Sequence, residues 1–162
     1  MATDLSYTQQ FTGTPAQVYA MLTDAAFGEH CALNTGSTSA ECTSTASEAG
    51  ATVVSKRVLP AEVPGFAKKF LGDTITLTET QEWAALNGDA ADAVVTVEFS
   101  APIAFTGAAA LRAAGEGTEV LVTGKFKASI PLIGGKVEEL ARDTTSKYLH
   151  KQAKLGNAWL AK

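Results

Sequence analysis

From Lys136 to Ala161 the chain has no proline and one glycine, Gly156. Val137, Leu140, Ala141, Thr144, Tyr148, Gln152, Leu155 and Trp159 recur there at spacings of three and four, the period of one helix face. Glu138 and Glu139 stand in the first turn, where the helix dipole favours negative charge. With its rise of 1.5 Å per residue, such a helix is about 35–40 Å long and can cross a whole small sheet. Its stripe also holds polar Thr144, Tyr148 and Gln152, which need partners, either on that sheet or on a ligand.

What precedes this stretch reads mostly as strands. Leu5, Tyr7, Gln9 and Phe11 alternate with Ser6, Thr8 and Gln10. Thr14-Pro15 then opens a helix bearing Val18, Tyr19, Met21 and Leu22, with threonine as cap and proline at the first position. A second short helix is predicted over Ala25–Leu33. Six more strands are expected at Thr38–Glu48, Ala51–Leu59, Thr74–Trp83, Ala93–Ser100, Ile103–Ala114 and Thr118–Ile130. Ala49-Gly50, Asn87-Gly88-Asp89 and Gly115-Glu116-Gly117 supply turns. Val63, Phe66, Ala67, Phe70 and Leu71 fall near helical spacing with Lys68 and Lys69 opposite, so Val63–Leu71 is expected as a short amphipathic helix. No repeat or linker divides the 162 residues, and 1–162 is expected to be one α+β domain with an antiparallel sheet of about seven strands.

Strand parity suggests which side chains face inward. Arg57 shares parity with Val53, Ser55 and Leu59, and Glu79 with Ile75, Leu77 and Trp83. An inward Arg57 either clamps a ligand carboxylate or pairs with Glu79 or Glu98. Many expected inner positions are small: Ala40, Cys42, Gly107, Ala109, Gly124, Ala128 and Ala141. Small residues on a concave sheet mean either close approach of the helix or a cavity. A cavity able to serve a small molecule measures on the order of 300–1,000 Å³.

The order of elements, together with Phe11 to Asp24, Arg57-Val58-Leu59-Pro60, Lys69-Phe70-Leu71-Gly72, Gln81-Glu82-Trp83 and Ile130-Pro131-Leu132-Ile133-Gly134-Gly135-Lys136-Val137-Glu138, resembles the START-like, or Bet v 1-like, helix-grip superfamily. Within it, the chain is similar to an uncharacterised family found mainly in high-GC Gram-positive bacteria. The resemblance covers nearly the whole chain and implies a curved antiparallel sheet wrapped around the long C-terminal helix. It implies function only broadly, because relatives include lipid carriers, polyketide cyclases and aromatases, hormone receptors and chaperone regulators. It carries no catalytic motif onto this sequence.

The residues themselves offer little catalytic chemistry. Phosphate-binding glycine patterns are absent, and Gly134-Gly135-Lys136 lacks P-loop spacing. His30 and Cys31 are adjacent and have no second pair to complete a zinc site; Cys42 reads as a small core residue. No metal, cofactor or catalytic residue is therefore expected. His150 falls on a different helix face from Tyr148 and is expected in solvent. The net charge of −4 provides no field to attract nucleic acid. The first residues lack a secretory signal pattern and no run of about 20 apolar residues exists, which makes the cytoplasm the expected address.

The leading expectation is a carrier of an apolar small molecule, lipid or polyketide-like, held between sheet and helix by Arg57, Phe66, Phe70, Glu79, Trp83, Phe99, Phe126, Ala141, Thr144 and Tyr148. Alternatives are a cyclase or aromatase-type enzyme using Glu79, Tyr148 or His30, and an interaction module with a filled core. Val63–Leu71 is expected either to gate the cavity or to plug it. Two substitutions follow from these expectations: Leu140→Asp unfolds the protein, and Phe70→Ala costs about 3–5 kcal/mol if the segment is a plug.

Overall fold

The computed structural model describes residues 2–61 and 63–162. β1 (Thr3–Phe11) leads into α1 (Pro15–Leu22), α2 (Ala25–Leu33), β2 (Ser39–Ser47) and β3 (Gly50–Pro60). α3 (Gly65–Leu71) and β4 (Thr74–Ala84) follow, then β5 (Ala91–Phe99), β6 (Ile103–Ala114), β7 (Gly117–Ala128) and α4 (Gly134–Leu160). α1 starts at a capping box: Thr14 Oγ1 accepts from the Gln17 amide at 3.3 Å, and the Thr14 amide donates to Gln17 Oε1 at 2.9 Å. Asp24 caps α2 by accepting from the Ala26 amide at 2.9 Å.

All seven strands join one antiparallel sheet in the order β1-β7-β6-β5-β4-β3-β2. The meander runs from β2 to β7, and β1 returns beside β7. This is an α+β, helix-grip arrangement, with the inward parity assigned to Arg57 and Glu79 preserved in the register.

α4 packs chiefly on β1 and β7. Three polar ties fix it there. Glu138, 2% exposed, accepts from Thr3 Oγ1 at 2.9 Å and from the Ala128 amide at 2.9 Å. Gln9, also 2% exposed, donates to the Leu149 carbonyl at 2.9 Å and to Gln152 Oε1 at 2.8 Å. Asn157 Oδ1 accepts from the Thr12 amide at 2.9 Å. Close to this last tie, Gly156 lets the helix touch the core, since a Cβ there would lie 2.8 Å from Phe11 and 2.9 Å from Met21. The helix is therefore held against one side of the sheet.

The buried positions of α4 are Val137, Glu138, Leu149 and Gly156. The expected stripe is thus rotated by about one residue along much of its length. Leu140, Ala141 and Tyr148 are only partly buried, because they face open space rather than packed strands.

Candidate functional site

Between α4 and the strands lies a cavity of about 430 Å³, within the range typical of small-molecule sites. β3 and β4 contribute Arg57, Leu59, Leu77 and Glu79; β5 to β7 contribute Val97, Phe99, Phe105 and Phe126; α4 contributes Ala141, Thr144 and Tyr148. The wall is mostly apolar, with Arg57, Glu79, Thr144 and Tyr148 among its polar members, and Lys147 and Lys151 also reach the space.

Arg57 is 8% exposed. Its guanidinium lies over the Tyr148 ring, 4.6 Å from the centroid, a cation–π contact that fixes its plane. Glu79 Oε1 stands 3.8 Å from Arg57 Nη2, close enough for charge attraction but too far for a hydrogen bond. Arg57 Nε is buried without an acceptor. Burial works against the guanidinium's charge, and the facing Tyr148 and Glu79 outweigh it, so the pKa is raised and Arg57 stays protonated. Burial pushes the Tyr148 phenol above its ordinary range; nearby Arg57 opposes the rise without cancelling it. At neutral pH this phenol is a hydrogen-bond donor, not a base. Burial likewise pushes the Cys31 thiol up to about 12 and raises that of Cys42.

Of the ten residues expected to hold a ligand, seven line this cavity: Arg57, Glu79, Phe99, Phe126, Ala141, Thr144 and Tyr148. Three do not. Trp83 lies four residues along β4 from Glu79, about 13 Å at strand rise, and is buried under α1. Its ring meets Tyr19 edge-on at 5.8 Å, and its indole N–H donates to Gln81 Oε1 at 2.9 Å. Phe66 and Phe70 are 41% and 42% exposed, because α3 turns Ala67 inward and its phenylalanines outward. From that segment Val63 and Leu71 reach the cavity instead. His30 also lies off the cavity wall: its ring tilts against Trp159 at 5.2 Å and its Nδ1 is 3.3 Å from Asn34 Nδ2. His150 is exposed, its Nδ1 3.1 Å from the Tyr7 hydroxyl. Glu98 is exposed, so Glu79 is the carboxylate that faces Arg57. Among the described residues no group of three His, Cys, Asp or Glu gathers to hold a metal ion, and no helix is long and apolar enough to cross a membrane.

The small inner residues do not explain the cavity, and of those singled out by sequence only Ala141 lines it. Gly107 and Gly124 face each other across β6 and β7 beneath the Phe105 ring, which a Cβ on either would strike. Cys42 fits against Gly28, where a Cβ would come within 2.6 Å of its sulfur. Close packing accounts for these positions. The space arises instead because α4 is seated on β1 and β7 and stands off from the opposite strands.

A family model described as "Protein of unknown function (DUF2505)" matches residues 6–160. The chain belongs to the DUF2505 family. No curated protein matches it. Solved structures share its fold at low identity. A START superfamily protein from Mycobacterium smegmatis is 9% identical, with TM-score 0.61, over 98% of this chain and 99% of that one. Ara h 8.0201 is 14% identical, with TM-score 0.60, over the whole of both chains. BexL, a di-domain ARO/CYC from the BE-7585A biosynthetic pathway, is 12% identical with TM-score 0.66, over 97% of this DUF2505 chain and 49% of BexL. The chain thus has the START/Bet v 1-like fold.

Proposed function

We propose that this DUF2505 protein binds and carries an apolar small molecule, lipid or polyketide-like, in the space between α4 and β3–β7. The observation that supports this is the apolar-walled cavity of about 430 Å³. Protein interiors pack about as tightly as organic crystals, with few voids larger than a water molecule. A site lined by leucine, valine and phenylalanine with a few convergent polar groups matches the chemistry of a ligand pocket. It argues against an interaction module with a filled core. A cyclase-type reading keeps Glu79 and Tyr148 on the wall but loses His30 to the α2–α4 contact, and Tyr148 holds its proton at neutral pH.

The test uses the neutral probe N-phenyl-1-naphthylamine, which fluoresces in apolar surroundings. Saturable binding with a blue-shifted emission is expected. Ala141→Trp, which fills the cavity from α4, is expected to weaken it at least tenfold while the protein still melts cooperatively. Absence of saturable binding by the unmodified protein would reject carriage. Native mass spectrometry of protein purified from its own host then reads the mass of the natural ligand.

A further inference from the structure

We infer that the cavity selects an amphiphile with a carboxylate head, and that Arg57 is the residue that reads this head. The inference deepens the carrier reading and rests on it. Three observations converge. First, Arg57 is buried in the cavity wall, its Nε has no acceptor, and the nearest carboxylate oxygen, on Glu79, lies 3.8 Å away. A guanidinium cannot shed its proton in a protein, so Nε needs an acceptor that the surrounding side chains do not supply. Second, the Tyr148 ring holds the guanidinium plane in place at 4.6 Å, which pre-orients the fork for a planar partner. Third, among the described residues the charged side chains lining the cavity are Arg57, Lys147 and Lys151 against Glu79, a positive excess in a chain of net charge −4. Clefts lined by one sign of charge and walled by apolar groups focus the field on an ion of the opposite sign.

The apolar remainder of the wall, Leu59, Leu77, Val97, Phe99 and Phe126 among it, suits the body of the same ligand. A carboxylate matches the fork in geometry and carries one negative charge. Glu79 already offsets part of the charge of Arg57, so a single negative charge suffices inside, where Lys147 and Lys151 contribute only from their exposed positions at the edge.

The experiment compares dodecanoate with 1-dodecanol, two chains of equal length, as competitors for bound N-phenyl-1-naphthylamine at pH 7.5. The unmodified protein is expected to prefer the acid at least tenfold. Arg57→Gln is expected to bring the acid to the affinity of the alcohol, read as the ratio of the two competitors on the same variant. Arg57→Lys keeps the charge without the fork and is expected to restore only part of the preference. Should these variants fail to fold, the double variant Lys147→Gln/Lys151→Gln alters exposed residues only and is expected to reduce the preference two- to threefold. Saturable probe binding with acid and alcohol within twofold of each other overturns the carboxylate reading and leaves carriage standing. No probe binding at all overturns both.

Discussion

At the scale of single residues, the position of α4 depends on a carboxylate in an unexpected role. α4 begins at Gly134 and has no acidic residue in its first turn, so the helix dipole expected from the sequence does not explain Glu138. It is instead fully buried and holds two donors, Thr3 Oγ1 on β1 and the Ala128 amide at the end of β7. Glu138→Ala leaves the Ala128 N–H without its acceptor and removes a charge-assisted bond. The expected loss is about 3 kcal/mol in urea unfolding, since buried unpaired donors and hydrogen bonds to charged groups are each worth about 1–3 kcal/mol. Glu138→Gln keeps one acceptor oxygen and should lose about half as much. An alanine variant within 0.5 kcal/mol of the parent would mean that packing, not this carboxylate, seats the helix. Nothing in the local sequence separates a buried tie from a dipole-complementing surface residue. The distinction depends on Thr3 and Ala128, far away along the chain. By contrast, Arg57 and Glu79 were legible, because strand alternation alone fixes which face they occupy.

At the scale of elements, strands and caps were legible and α3 only partly so. Turn glycines such as Gly88 (φ 63°) and Gly115 (φ 60°) adopt left-handed conformations where the sequence marks turns. In α3, helical spacing identified the element but not its inward face. With only Ala67 buried, two rival faces carry similar apolar residues, and periodicity over seven residues cannot rank them. The structure changes the consequence expected of Phe70→Ala. Because Phe70 is 42% exposed, its truncation should cost less than about 1 kcal/mol, well below the 3–5 kcal/mol of a buried phenylalanine. The same reasoning shifts the most sensitive helix position from Leu140, half-buried at the cavity, to Val137, 2% exposed. Val63 and Leu71 on the cavity wall make the segment 63–71, which includes α3, a candidate gate. Amides 66–71 are expected to exchange hydrogen faster than those of β5 and β6, and to slow when dodecanoate is bound. Exchange as slow as in the central strands, with and without dodecanoate, would identify a fixed plug instead.

At the scale of the whole molecule, the sheet's composition and the long helix were legible, but the reason for the cavity was not. Small residues suggested space; in fact Phe105 covers Gly107 and Gly124, and the space follows from where polar ties seat α4. Such seating is a property of long-range pairs, which no local window contains. The same architecture gathers acids that remain neutral when folded: Cys31, Cys42 and Tyr148, grouped near Arg57 and Glu79. Burial pushes the Cys31 thiol up to about 12 from an ordinary 9.0, with Arg57 opposing and Cys42 and Glu79 reinforcing the shift. Below pH 9 folded and unfolded chains both hold this proton, and its contribution to stability is fully present. As pH rises from 9 towards 12 the unfolded chain releases the proton while the folded chain keeps it, so stability falls. The slope approaches about 1.4 kcal/mol per pH unit for one such group. Cys42 adds to the decline, and Tyr148 adds to it above its ordinary 10.0. Urea unfolding at pH 8, 9, 10 and 10.5 should therefore show stability dropping steeply above pH 9. Cys31→Ala should start lower at pH 8, having lost a fully buried side chain, and then decline less steeply than the parent. Parallel curves for the two proteins would show that Cys31 ionises alike in the folded and unfolded states.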